Sequence, residues 1–317
     1  MKRCLYCYQQ LDESSVDFHE QCSKKIFGVP SAPEFPYTEA NMKALALEVV
    51  RSHITVTGVQ PKLSLDIQPV TDKNGSGRFT IVGLWGRFIL KPPSERYHQL
   101  PEVEDLTMHL AEIAKIEVVP HSLIRLQSGN LAYITKRIDR VKKTKLHMED
   151  MCQLTNRQTE DKYRGSHEQV ARAILSYSTN PVLDVVNFYE QVVFSFLTGN
   201  ADMHLKNFSL IRKPEVGYVL APAYDLVATT LVNPGDTEEL ALTLNGKKRK
   251  IKRQDFEQAF QSLQLDARQS ENIFLKMEKA KDKWMDFIEI SFVSNDLKKQ
   301  FKDLIKERFE KLKKVAQ

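Results

Sequence analysis

An aspartate and an asparagine separated by four residues, Asp202 and Asn207, stand in the stretch TGNADMHLKNF (198–208), where an apolar run ending in VVFSFL gives way to a loop. A second aspartate, Asp225, follows VGYVLAP, which reads as a short apolar strand. Oxygen donors of this kind suit Mg²⁺, which neutralises charge between phosphates, while a separate carboxylate can orient an attacking hydroxyl. Upstream, RFILK places Lys91 at the end of a strand-like alternation, where an ammonium can hold phosphate oxygen. Earlier still, TVTGVQPK (55–62) could form a turn whose backbone N–H groups cover an anion, although a single glycine is a weak signal. Each piece alone has a plainer reading. Asp202 and Asn207 could be loop residues bonding nearby backbone, Asp225 a helix cap, and Lys91 a strand-end lysine lying along apolar surface. His204 reads as a residue that orients the loop by hydrogen bonding rather than one that titrates. The order turn, strand lysine, Asp-x4-Asn, Asp is what points to phosphoryl transfer.

A second constellation has different chemistry. Cys4-x2-Cys7-x11-His19-x2-Cys22 supplies three thiols and an imidazole, the donors of a closed tetrahedral Zn²⁺ site resembling a zinc knuckle or ribbon. Four protein ligands leave no position for water, so the role would be structural. The bland alternative is three small buried hydrophobes. Cys152 stands alone, a distribution unlike an extracellular disulfide framework.

These groups must be positioned by a chain of 317 residues, 42% hydrophobic and 27% charged, which excludes disordered and fibrous classes. The net charge, 46 − 41 = +5, is too small to argue for nucleic acid. No apolar run is long enough for a bilayer and no signal-peptide core opens the chain, so a cytoplasmic protein without a membrane partner is expected. Asp17–Phe27 reads as a short helix ending at Gly28, and VPSAPEFPY (29–37), with three prolines, as a linker. A helical patch follows at Thr38–Arg51. Alternation predicts strands at Pro61–Ile67, Arg78–Val82, Arg87–Lys91 and Leu131–Arg137, with a turn at Asn74–Gly77 and a helix over Pro101–Ala114. From His147 the spacing is helical nearly to the end, clearest at Glu168–Ser178, Val182–Leu197, Arg253–Leu263 and Ser294–Ala316. The expected organisation is α+β and bilobal: a zinc-knuckle-like segment (1–28), a linker (29–37), a strand-rich N-terminal lobe (38–140) and an all-helical C-terminal lobe (141–317). The basic run Lys247–Arg253 reads as a solvated hairpin.

The Asp-x4-Asn offset is that of the protein-kinase catalytic loop. The ordered motifs TVTGVQPK, FILK, KRIDR, HMEDMCQL, TGNADMHLKNF and APAYDL resemble the HipA-type serine/threonine kinases, toxins of bacterial toxin-antitoxin modules, from about Arg51 to the C-terminus. The resemblance implies a protein-kinase-like fold using ATP and Mg²⁺. It makes Asp202 the catalytic aspartate, Asn207 and Asp225 the magnesium ligands and Lys91 the ATP-phosphate lysine. Thr57, Gly58, Val59 and Gln60 would form the turn over the phosphates, and Lys136, Arg137 and Ile138 the adenine hinge, with His204 and Lys206 in the catalytic loop. Thr55 and Thr57 fall where shorter toxins of three-gene modules autophosphorylate. About fifty residues precede Thr55, so the N-terminal subdomain of longer members could be a separate small protein acting as antitoxin. The implied partners are a glutamyl or tryptophanyl aminoacyl-tRNA synthetase as substrate and small antitoxins, through which alone DNA would be met. Two rival readings are a small-molecule phosphotransferase and a zinc-knuckle binding module with a degenerate kinase body.

Overall fold

The computed structural model describes residues 2–42, 44, 62–69, 77–82, 85–141 and 144–314. The chain divides into two compact units. The first comprises Met1–Asp105, Val119–Arg140 and Ile290–Val293, and the second Leu106–Val118, Val141–Glu289 and Ser294–Gln317.

The first unit is built on a five-stranded antiparallel sheet. Its strands are β1 (Leu63–Pro69), β2 (Gly77–Ile81), β3 (Phe88–Lys91), β4 (His121–Arg125) and β5 (Leu131–Lys136), in the order β2-β1-β3-β5-β4. Register decides the faces. Leu63 pairs with Leu90, Leu65 with Phe88, Ile67 with Phe79 and Leu90 with Ile134, so these apolar residues share one face. Helix α1 (Glu20–Phe27) covers it, stopped by Gly28 in the left-handed conformation at φ 82°. Phe27 meets Phe79 and Phe88 at 5.5 and 6.1 Å between ring centroids, so the cysteine-bearing segment shares a core with the sheet. The opposite face carries Lys91, Tyr133 and His121, by the pairing of Lys91 with Tyr133 and of His121 with Thr135. The second turn of α2 (Leu100–Ile113) supplies that face with Glu104 and Asp105.

The expected strands and the helix at 101–114 are present within a residue or two. Strand β4 was absent from the expectation. In HSLIR the only two apolar residues, Leu123 and Ile124, stand side by side, so the segment shows none of the alternation that marks a strand. The proline-rich linker contributes a single parallel bridge, Glu34 to Arg78 at the sheet edge. The expected turn at Asn74–Gly77 falls mostly outside the described residues, as does the part of the Thr38–Arg51 helix beyond residue 44.

The second unit surrounds α5 (Pro181–Thr198), which follows the two-residue strands β6 (Arg140–Val141) and β7 (Thr144–Lys145), the strand β8 (Met148–Asp150), and the helices α3 (Met151–Leu154) and α4 (His167–Tyr177). Every residue from Phe188 to Thr198 is buried, as expected of a helix enclosed on all sides. It packs against α4, α8 (Ala267–Glu289) and α9 (Asn295–Lys311). Pro181 sits at its first position, and Gly199 ends it at φ 70°. A Cβ on Gly199 would come within 2.6 Å of Leu304 and 2.8 Å of Thr230, so glycine is required twice over.

The expectation of an all-helical C-terminal lobe needs correction. Between α5 and the short helices α6 (Thr229–Val232) and α7 (Arg253–Ser262) lie β9 (Ser209–Lys213) and β10 (Gly217–Leu220), which form a three-stranded antiparallel sheet with β8 in the order β10-β9-β8. The strand expected at VGYVLAP is β10, whereas β8 and β9, of three and five residues, are too short for periodicity to tell strand from helix. The basic run is largely internally paired: Lys247 with Asp255 at 2.6 Å, Lys248 with Glu238 at 3.2 Å, and Arg253 with Glu257 and Glu271 at 2.8 and 2.7 Å.

His167, at the start of α4, is fully buried, with its ring 5.9 Å from that of Phe188 and no hydrogen-bond partner for either ring nitrogen. Burial lowers its pKa to about 3. The unfolded chain therefore takes up a proton near pH 6.5 that the folded chain refuses, and this group's contribution to stability is present above pH 6.5 and lost as the pH falls toward 3. Urea melts across that window should show a shallower acid limb in His167→Leu, by up to about 1.4 kcal/mol per pH unit.

Candidate active site

In the second unit the loop after α5 is fixed from beneath by backbone and hydroxyl contacts. Thr230 Oγ1 donates to the Gly199 carbonyl at 2.6 Å, the Ala201 N–H donates to Thr229 Oγ1 at 2.9 Å, and the Asp202 N–H donates to Asn200 Oδ1 at 3.3 Å. The chain then closes a 3₁₀ turn at Leu205–Asn207. Asn207 is buried and bridges two parts of the site: its Oδ1 accepts from the His204 N–H at 3.1 Å, and its Nδ2 donates to Asp225 Oδ2 at 3.0 Å. An amide oxygen keeps a second lone pair after one such bond. The amide and the carboxylate thus meet, and their donor set of hard oxygens fits a Mg²⁺ ion. Asp225 adopts φ 61°, a left-handed conformation that costs a non-glycine residue of order 1 kcal/mol.

Asp202, by contrast, is exposed, and its Oδ1 accepts from the Tyr163 hydroxyl at 2.6 Å. Burial and this carboxylate contact raise the Tyr163 pKa, keeping the phenol protonated as the donor. His204 is buried with its ring 5.0 Å from that of Tyr163, and burial lowers its pKa, so the imidazole is held neutral. Lys206 does not reach outward: its Nζ binds Asp150 Oδ2 at 2.6 Å, while its carbonyl accepts from the Tyr224 hydroxyl at 3.0 Å. Asp150 is also the capping residue of α3, accepting from the Gln153 N–H at 3.0 Å. The loop is therefore tied to α3 through the HMED segment.

In the first unit, Lys91 and Glu104 form a buried ion pair at 2.5 Å, 4% and 0% exposed, with the Lys91 ammonium 5.4 Å from the centre of the Tyr133 ring. Lys136 closes β5 with its side chain exposed, and Ile138 is half-buried. Between them Arg137 is held by a two-point ion pair to Asp139, 3.0 Å at each contact, and its N–H donates to the Arg87 carbonyl at 2.8 Å. Thr55, Thr57, Gly58, Val59 and Gln60 lie outside the described residues.

Sequence reading missed Glu104, Tyr163 and the role of Asp150. Glu104 and Asp105 offered one usable signal, two acidic residues inside an otherwise apolar helix face, which calls for buried partners. Tyr163 offered none. The four candidate metal-binding residues of the N-terminal segment do converge: the ligand atoms of Cys4, Cys7, His19 and Cys22 all lie within 4.8 Å of one another.

The family model described as the HipA-like C-terminal domain matches residues 54–284. Y4dM of Sinorhizobium fredii, which carries a kinase name, is 35% identical over 188 residues, covering 55% of this chain and 45% of that protein. The serine/threonine-protein kinase toxin HipA of Shewanella oneidensis is 27% identical over 216 residues, covering 62% of this chain and 47% of its own length. The chain spans about half the length of these curated relatives. Among solved structures, a chain of the Shewanella oneidensis complex of HipA, HipB and operator DNA superposes with a TM-score of 0.68 at 21% identity, over 84% of this chain and 70% of that one. At that identity the likeness is one of fold.

Proposed function

The chain belongs to the HipA-like C-terminal domain family, and from that premise we propose that it is an ATP- and Mg²⁺-dependent serine/threonine protein kinase and the toxin of a toxin-antitoxin module. The observation that carries this reading is the meeting of Asn207 and Asp225 at 3.0 Å in the same unit as the exposed carboxylate of Asp202. Bound Mg·ATP supplies the phosphoryl group and the charge neutralisation that lets it leave. Asn207 and Asp225 are the oxygen donors that hold the cation. Asp202, open to solvent, accepts the hydrogen bond of the incoming hydroxyl and takes its proton, a position held in this structure by the Tyr163 hydroxyl. Lys91, oriented by Glu104, binds phosphate oxygens. Lys136, Arg137 and Ile138 serve as the adenine hinge, and residues 57–60 as the turn over the phosphates.

The target is an aminoacyl-tRNA synthetase of glutamyl or tryptophanyl type, phosphorylated on serine, with translation arrest as the consequence. Small antitoxin proteins neutralise the kinase, as HipA stands with HipB and operator DNA in the structural relative. Autophosphorylation at Thr55 or Thr57 adds about −1.5 to −2 charges to the phosphate-covering turn and repels ATP.

The test is transfer from [γ-³²P]ATP in a bacterial extract with and without Mg²⁺. One dominant labelled protein, mapping to a synthetase, is expected. A labelled metabolite instead would favour the small-molecule phosphotransferase. Absence of Mg²⁺-dependent ATP binding would leave only the adaptor reading. Production of the wild-type chain without antitoxin should arrest growth, and Asp202→Ala should relieve the arrest.

A further inference from the structure

We propose that Cys4, Cys7, His19 and Cys22 bind one structural Zn²⁺, and that the metal-closed knuckle clamps Tyr8 onto the helical turn that carries Glu104.

The geometry of the four donors is that of a tetrahedral cage. Zinc–sulfur and zinc–nitrogen bonds of about 2.3 and 2.0 Å set ligand separations of roughly 3.5 to 3.8 Å at a tetrahedral centre. Here the His19 Nδ1 lies 3.4 Å from the Cys7 sulfur and 3.8 Å from the Cys22 sulfur, and all four donor atoms lie within 4.8 Å of one another. None of the cysteines is in a disulfide.

The imidazole gives an independent indication. His19 Nε2 lies 3.0 Å from the Gln10 carbonyl oxygen, which can only accept, so Nε2 carries the ring proton. Nδ1 is then a bare lone pair aimed at the sulfurs. A second nitrogen fixed by a backbone carbonyl is the usual way a metal-binding histidine is oriented.

Local structure presents these atoms. Cys4 and Cys7 flank a tight turn closed by the Tyr8 N–H on the Cys4 carbonyl and the Cys4 N–H on the Gln9 carbonyl, both at 2.9 Å. His19 is the residue preceding α1, and Cys22 lies within its first turn. Three thiolates and one imidazole fill a tetrahedron, so the ion has no open position and its contribution is to folding.

What the closed knuckle holds is the new element. Leu5 offers its carbonyl to the Leu123 N–H at 3.3 Å and to the Ser122 hydroxyl at 3.1 Å, docking the loop on β4, the edge of the sheet. Arg125 of β4 grips Asp17 with contacts of 2.8 to 3.1 Å. Tyr8, next to a ligand, is held at φ 63° and donates its hydroxyl to Asp105 Oδ2 at 2.7 Å, 97 residues away. Asp105 is fully buried and also meets His121 Nδ1 at 2.7 Å. Its neighbour Glu104 holds Lys91. The knuckle thus braces, through Tyr8, the turn that orients the lysine. Tyr8 is a positioning residue, and its link to nucleotide binding rests on the kinase reading, whereas the metal site does not.

Elemental analysis of the purified chain should find one zinc per molecule, and cobalt exchanged into the site should give the intense thiolate charge-transfer and visible bands of a tetrahedral complex. His19→Cys should keep the metal and shift the cobalt spectrum, while Cys4→Ser with Cys22→Ser should lose it. A metal-free wild-type chain that gives only the weak spectrum of hydrated cobalt would overturn the site. Tyr8→Phe keeps the ring against Phe292 and should retain one zinc, yet weaken Mg·ATP binding roughly tenfold, the size of one hydrogen bond to a charged group. Unchanged affinity with zinc retained would overturn the clamp. If wild-type protein binds no Mg·ATP, the kinase reading and the clamp's link to it fall, and the metal count alone decides the site.

Discussion

Asp225→Asn should abolish transfer from Mg·ATP, by about a hundredfold or more, while the melting temperature stays near that of the wild type. A metal clamp on a transferring phosphoryl group supplies several kcal/mol of barrier lowering, and a neutral amide in place of a carboxylate forfeits much of it. Asparagine is the right replacement because Asp225 sits at φ 61°, a conformation that asparagine tolerates and alanine does not. Alanine would add a backbone penalty unrelated to the metal and confuse the result. Asp202→Ala should lower the transfer rate by about 10² to 10⁴-fold, the usual contribution of a positioned general base. Its side chain is exposed, so little stability depends on it. Wild-type rates in Asp225→Asn would remove that residue from the cation site and with it the central support for the kinase reading.

The second large effect concerns Lys91 and Glu104. Removing one member of a buried ion pair costs about 3 to 5 kcal/mol, whereas replacing both by apolar residues is often nearly neutral. With exposures of 4% and 0%, this pair belongs to that class. Lys91→Met should therefore lower both the urea midpoint and the transfer rate. The double variant Lys91→Met with Glu104→Met should recover most of the stability and none of the transfer. Stability that stays low in the double variant would mean that the pair's other surroundings, not charge pairing, dominate. Transfer that returns with stability would show that Lys91 has only a folding role.

The distinction between the two experiments follows from where each group sits. Asp225 is half-buried at the mouth of a loop, and its backbone strain is tolerated because the neighbouring Leu226 and Ala223 are packed in the core. Lys91 is enclosed between a sheet face and a helix, so its proposed role in phosphate binding and its part in folding are superimposed there and only the double variant separates them.

The sequence alone determined which side chains could act and how those on one segment would be grouped. Asp202 and Asn207 fall on one tight loop because five residues cannot separate them far, and the Cys-x2-Cys and His-x2-Cys pairs each fit a single turn. The alternating strands and the long helices were legible for the same reason: period is a property of a segment. Tertiary structure decided who meets whom. Glu104 reaches Lys91 across 13 residues, Tyr163 reaches Asp202 across 39, Asp150 reaches Lys206 across 56, and Tyr8 reaches Asp105 across 97. Nothing in the residue types selects those partners. They are chosen by which faces of sheet and helix are buried against one another, and a buried charge or hydroxyl then takes whichever complementary group the packing delivers.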